Sequence, residues 1–188
     1  MSLIEKAKEQ LQELQSATQF EKMLKVTAIL TSLLEEKNLH PIIVGGLAVE
    51  IYTRSDYTTA DIDLIISDRE AVNDILLELG FVKEGRHWYH ERLLVSIEIP
   101  SDILEDADDE KVIELYLEDG YKVFVIGIED IILDRLRACV HWKSSSDCEW
   151  GKRLLLLHFD RLDINYMVKR AKVDKTITVL EEWLQSLK

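Results

Sequence analysis

The sequence predicts an α+β fold in which helices flank a mixed β-sheet, with helices at the N-terminus and a helical C-terminal segment. Three observations carry that prediction. Apolar residues recur at helical spacing through the first forty positions and again from residue 128 onward. Between them the pattern alternates short apolar runs with helical stretches and then switches to a period of two, giving two helices, β–α–β–α, a run of strands, and helices. Finally, 188 residues suffice to bury one core. The expected division is N-terminal helices over 1–40, an α/β core over 41–127 and a helical segment over 128–188, all in one compact unit.

Each element has a local reason. Leu3, Leu11 and Leu14 give the first helix a rough apolar stripe. Thr18-Gln19-Phe20-Glu21 has the form of a capping box, in which hydroxyl and carboxylate each satisfy a backbone N–H. It opens a second helix to about Lys37, with Met23, Val26, Ile29, Leu30, Leu33 and Leu34 on one face. Residues 41–44 read as a short buried strand ended by Gly45-Gly46, and 47–53 as a helix behind that turn. A polar turn over 55–60 leads to a strand over 61–66. Ser67-Asp68-Arg69-Glu70 is a second capping-box signature, opening a helix through Leu79 that Gly80 closes.

Residues 81–84, 88–91 and 93–99 read as successive strands, with Pro100 ending the last because it has no N–H for a ladder. The acidic run 102–110 is a solvated loop. A hairpin over 112–117 and 121–126 turns at Glu118-Asp119-Gly120. Helices follow over 128–142, 147–158, 163–172 and 174–187.

Composition narrows the function classes. Hydrophobic residues make up 47% and charged residues 31%, the balance of an ordinary globular chain. A formal charge of −13 excludes a general nucleic-acid sleeve, which needs a broad cationic surface. The first ten residues are charged and amphipathic, unlike a secretory signal. Apolar runs such as 154–157 are far too short to cross a bilayer, so no membrane role is expected. Two cysteines, Cys139 and Cys148, do not make a disulfide framework, and a reduced cytoplasmic location is the default.

The chemistry concentrates in two segments. On a strand over 61–66, Asp61 and Asp63 share one face while Ile62, Leu64 and Ile66 share the other. Paired carboxylates repel unless a cation sits between them, and aspartate is a poor strand former, so this spacing invites a functional explanation. Magnesium suits it, since that ion prefers one or two carboxylates plus phosphate oxygens. In Leu94-Val95-Ser96-Ile97-Glu98-Ile99-Pro100 the acid Glu98 stands at the end of an apolar strand. Were that strand to pair beside the first, three acids would serve two ions. Upstream, Gly45-Gly46 lies between strand and helix, where glycine permits close backbone approach and free amides attract phosphate.

Val44-Gly45-Gly46-Leu47-Ala48 followed by Thr59-Ala60-Asp61-Ile62-Asp63-Leu64 resembles the signature of the DNA polymerase β-like nucleotidyltransferases. The wider setting is most similar to a small prokaryotic branch, the minimal and AbiE-type toxin nucleotidyltransferases of toxin–antitoxin and abortive-infection systems. The likeness covers residues 41–100 well and the helical tail loosely. It implies that Gly45 and Gly46 contact nucleotide phosphates, and that Asp61, Asp63 and Glu98 are catalytic and bind magnesium (or manganese), with Glu98 as general base. It also implies that Thr59 and Arg54 lie near the nucleotide. Glutamate at the third position departs from the aspartate common in that superfamily.

The expected activity is transfer of a nucleoside monophosphate from an NTP to a hydroxyl of tRNA, a protein or a small molecule. The alternative is a non-catalytic module that binds a nucleotide or partner, with the N-terminal helices as docking surface for another protein or a second copy. An unrelated structural domain with accidental motifs is a third reading. Bland roles stand beside the sharper ones: strand-end charges for the acids, an edge charge for Glu98 and a surface ion pair for Arg54. His87 and His90 are expected on a hairpin surface. Cys139, His141, Cys148 and His158 lack the paired spacing of a zinc site and are assigned to packing. Arg135, Arg137, Lys143, Lys152 and Arg153 near Trp142 and Trp150 mark the best place for an RNA acceptor, although Leu133, Leu136 and Val140 explain that helix as core-facing.

Overall fold

The computed structural model describes residues 1–187. Helices α1 (Leu3–Glu13) and α2 (Gln19–Glu35) lead into β1 (Ile42–Val44), α3 (Gly45–Tyr52), β2 (Asp61–Ile65) and α4 (Arg69–Glu78). Then come β3 (Val82–Glu84), β4 (His87–His90), β5 (Val95–Ser101), β6 (Ile113–Tyr116) and β7 (Lys122–Val125). Four helices close the described chain: α5 (Ile128–His141), α6 (Ser145–His158), α7 (Ile164–Val173) and α8 (Ile177–Gln185). The strands form one mixed seven-stranded sheet in the order β3-β4-β5-β2-β1-β7-β6. Strand β2 runs parallel to β5 and antiparallel to β1, and β1 runs parallel to β7. The predicted α+β class with a mixed sheet is therefore the fold observed.

Local chemistry starts the helices largely as anticipated. The capping box at Thr18 and Glu21 forms in full, and an unanticipated second one at Ser2 and Glu5 opens α1. At α4 the cap is Asp68, whose carboxylate accepts from the Ala71 N–H at 2.9 Å, and not Ser67. Pro100 does not end β5, which continues to Ser101. The β2–β5 register shifts between Asp63 and Ile65, so proline occupies an irregularity where its missing N–H breaks no ladder bond.

The core is continuous from end to end. Met23, Ile29, Leu30 and Leu34 of α2 meet Ile62, Leu64, Val95 and Ile97 of the central strands, all nearly inaccessible. Leu154, Leu155, Met167, Ala171 and Leu180 extend the same cluster into the C-terminal helices. The apolar stripe of α2 is thus covered by the chain's own sheet, and on α1 it leaves Leu3 exposed while Ala7 and Leu11 are buried.

Two buried acids join the C-terminal helices to the rest. Asp130 accepts hydrogen bonds from the Asp108 N–H at 2.9 Å and the Tyr166 hydroxyl at 2.5 Å. Glu129 accepts from the Asp163 N–H at 2.9 Å. Burial raises the Asp130 carboxyl above the usual range, an effect these hydrogen bonds partly offset. Cys139 of α5 and Cys148 of α6 are joined in a disulfide, Cα to Cα 4.7 Å, where the sequence suggested two unlinked cysteines. They meet because α5 and α6 form a tight antiparallel hairpin around a three-residue turn. His141 instead lies 2.9 Å from the Asp174 carbonyl and His158 2.8 Å from the Tyr52 carbonyl, each in a packing role.

Candidate active site

Gly45 begins α3 at φ +60°, a left-handed conformation that favours glycine. A Cβ at this position would lie 3.2 Å from Cγ of Asp63 and closer still to its carboxylate oxygen. A Cβ on Gly46 would come within 2.7 Å of the Thr59 hydroxyl. The two glycines therefore let the first turn of α3 press against both the acidic strand and the loop preceding it. No side chain caps that turn, so its N–H groups remain available to a ligand. Behind it, the buried Glu50 accepts from the Thr59 N–H at 3.1 Å and fixes the loop.

The acids line up across three strands. Asp63 of β2 pairs with Glu98 of β5, and Glu98 pairs with His87 of β4. Directly paired residues project from the same face, so His87, Glu98 and Asp63 form one row, with Asp61 one step along beside Ser96. Asp61 is exposed and Asp63 half-buried. Burial first, then the Glu98 and Asp61 carboxylates, push the Asp63 carboxyl up to about 6, while Arg135 and His87 pull it down. Unneutralised negative charge thus accumulates at Asp63.

Glu98 is not free. The Arg86 Nε lies 2.9 Å from its carboxylate, and the His87 Nδ1, buried and without a hydrogen-bond partner, lies 3.9 Å away. Arg86 occupies the two-residue turn between β3 and β4, preceded by Gly85 at φ +61°. Its side chain is 78% exposed, so the pair is a weak surface contact that a ligand can displace. Among the described residues, no three His, Cys, Asp or Glu side chains are gathered closely enough to hold a metal ion.

A cleft of about 340 Å³ opens beside Asp63 and Gly45, walled by Ser101, Arg135, Arg137 and Trp142. Arg135 is held by Asp134 at 2.6 Å and Asp147 at 2.9 Å, and Arg137 by Asp174 at 2.8 Å. These ion pairs fix the two arginines of α5, which line the cleft together with Asp134. Arg54 is elsewhere. It follows the C-terminal end of α3, roughly 12 Å along the helix from Gly45, and lines a separate cleft with His158 and Arg161. Sequence reasoning missed Arg86 and the orientation of Arg135, neither of which has a local signal. Gly85 ahead of Arg86 marked a turn, but not the strand it would face.

The structure resembles the solution structure of the antibiotic-resistance factor ANT(2″)-Ia, with a TM-score of 0.52 at 18% identity, covering 84% of this chain and 94% of that one. The fold is that of the nucleotidyltransferases. A nucleotidyltransferase-like protein from Paracoccidioides brasiliensis gives a TM-score of 0.52 at 16% identity, covering 82% of this chain and 91% of that one. No protein-family profile matches the chain. No curated protein matches it by sequence. In this chain the strand register sets Glu98 beside Asp63, and Gly45 and Asp63 line the cleft together with α5.

Proposed function

We propose that the chain transfers a nucleoside monophosphate from an NTP to a hydroxyl, with Asp61, Asp63 and Glu98 as the acidic residues and Gly45-Gly46 as the phosphate contact. The observation that carries the proposal is the strand register, which sets Glu98 directly beside Asp63 within reach of the uncapped start of α3. As they stand the three acids are not gathered around one point, but their all-oxygen chemistry fits a hard divalent cation, magnesium or manganese, which Asp61 and Asp63 would hold with Glu98 joining once it leaves Arg86. When bound, such an ion supplies the positive charge that lets phosphate oxygens approach these acids. The chain's own groups do the rest. The amides of Gly45 and Gly46 orient the phosphates, and Arg135 adds cationic field from the opposite wall. Glu98, released by Arg86, accepts the acceptor's hydroxyl proton as its oxygen bonds to the α-phosphorus and the bond to pyrophosphate breaks.

Thr59 supports this arrangement by packing on Gly46 rather than by reaching the cleft. Arg54 belongs, in this reading, to a separate surface. The acceptor classes remain tRNA, a protein or a small molecule, and the antibiotic-resistance factor among the structural neighbours makes a small molecule a natural first test. An acidic chain of net charge −13 favours cationic acceptors on electrostatic grounds. We also propose a cytoplasmic location and a setting within a toxin–antitoxin or defence system of the AbiE type. Among the described residues no helix is long and apolar enough to cross a membrane.

The Arg86–Glu98 contact favours a second reading, a module that binds a nucleotide or protein partner without turnover. Incubation with each α-labelled NTP, magnesium and either tRNA, lysate or an aminoglycoside separates the two. Label moving to an acceptor in the wild type, and falling at least 1,000-fold in Asp61→Ala/Asp63→Ala, is the expected result. Magnesium-dependent NTP binding with no label transferred to any acceptor would favour the second reading.

A further inference from the structure

The cleft beside Asp63 changes character along its length. Among its lining residues are Gly45 and Arg135, assigned above to phosphates, and Asp63, assigned to the cation. At its mouth are Ile103, Leu104 and Trp142. Trp142 is 82% exposed and Ile103 63% exposed, although both are large and apolar. One such residue alone is ordinary on a protein surface, but two lining the same cleft as Asp63 and Arg135 give it an exposed apolar part.

The helix geometry sets the spacing. Trp142 caps the C-terminal end of α5, its N–H bonded to the Ala138 carbonyl at 3.2 Å. Arg135 precedes it by seven residues, which on an α-helix is two turns, the same face and roughly 10 Å of rise. One face of α5 therefore presents a cation beside the acids and an indole roughly 10 Å farther out, a separation suited to a ligand with a charged head and a flat aromatic tail. The three-residue turn after α5, with Lys143 at φ +52°, sets that end of α5 against α6.

Resting on the nucleotide reading of this site, we propose that Trp142 is a stacking platform for the nucleobase, with Ile103 and Leu104 against its other face, and that it selects purine over pyrimidine NTPs. A purine covers more of the indole than a pyrimidine does, and stacking energy follows overlap. The polar groups at this rim include the Glu105 carboxylate, which when ionised can only accept hydrogen bonds and so suits a base edge bearing an amino group.

The other tryptophans make the test direct. Trp88 and Trp183 are buried, and Trp150 packs edge-on against Tyr57 beneath Arg153, so a base entering the cleft contacts Trp142 alone. Titrate the full-length protein with magnesium and, separately, ATP, GTP, CTP, UTP and inorganic tripolyphosphate, following indole fluorescence and heat. Purine NTPs should quench fluorescence and bind about 10-fold more tightly than pyrimidine NTPs or tripolyphosphate. Trp142→Ala should lower purine affinity to the tripolyphosphate level and leave tripolyphosphate binding unchanged, and Trp142→Phe should recover part of the loss. An unchanged purine-to-pyrimidine ratio in Trp142→Ala would overturn the platform while leaving the phosphate site standing. Failure of tripolyphosphate and all four NTPs to bind the wild type would overturn the nucleotide reading itself, and the platform with it.

Discussion

Asp63→Asn is expected to stabilise the free protein above pH 6 while abolishing its response to magnesium and nucleotide. The Asp63 carboxyl is pushed from an ordinary 3.8 up to about 6 by burial and by the Glu98 and Asp61 charges. A raised carboxyl pKa means that the folded state holds the proton more tightly than the unfolded chain. Well below 3.8 both states are protonated and there is no penalty. As pH rises through 6 the folded protein must carry a disfavoured charge, and stability falls by about 2–3 kcal/mol, allowing for solvent on the open side of the cleft. Asparagine removes that charge with little change of shape. Chemical denaturation should therefore show the variant equal to wild type at about pH 2.5 and more stable by about 2–3 kcal/mol at pH 7.5. Magnesium with an NTP should reverse the ranking by stabilising only the wild type, as any ligand of the native state does. The groups facing Asp63 (Asp61, Glu98, His87 and Arg135) are the same in both proteins, so the difference reports this one carboxyl. Equal stability at pH 7.5 would mean that Asp63 is better solvated than its position implies.

The second large effect belongs to Gly45→Ala. Alanine at φ +60° costs about 1–2 kcal/mol in backbone strain alone. Its methyl group would also press on the Asp63 carboxylate, lying 3.2 Å from Cγ. The strand cannot yield easily, since Asp63 is flanked in sequence by the fully buried Ile62 and Leu64. Relief must come from withdrawal of the first turn of α3, which carries the amides assigned to phosphate. Binding of magnesium tripolyphosphate should weaken about 100-fold, equivalent to about 2.7 kcal/mol, measured calorimetrically at a temperature where the variant remains folded by circular dichroism. Gly85→Ala, also at positive φ but with open space around its Cβ position, is the control for strain without collision. Equal losses of binding in both variants would assign the effect to general destabilisation.

The local parts of this fold were readable because each has a short-range cause. Thr18 and Glu21 are three residues apart, and the alternation of Asp61, Ile62, Asp63 and Leu64 needs only the pleat of a strand. Glu98 was likewise visible as a lone acid among Val95, Ile97 and Ile99. What no local pattern carries is register. That Glu98 sits beside Asp63, and His87 beside Glu98, depends on which strands pair and with what offset. Arg86 was missed for that reason, since its contact with Glu98 exists only once β4 and β5 are aligned. Arg54 shows the reverse case. It lies close to Gly45 in sequence, but the intervening helix carries it to the far end of α3. Cys139 and Cys148 were read as separate because their nine-residue spacing spans two helices whose antiparallel packing brings them together. Trp142 was noticed among basic residues, yet its place at the cleft mouth follows from where α5 ends against the 102–110 loop.

The most direct test of the central claim is calorimetric titration of the wild type and of Asp61→Asn/Asp63→Asn with a magnesium complex of a non-hydrolysable NTP analogue. Both proteins should first give matching circular dichroism spectra. Saturable one-to-one binding by the wild type, absent without magnesium and lost in the double variant, is the predicted result. Binding of the same strength in the double variant, or indifferent to magnesium, would contradict the assignment of Asp61 and Asp63 as the acids that hold a metal–nucleotide complex.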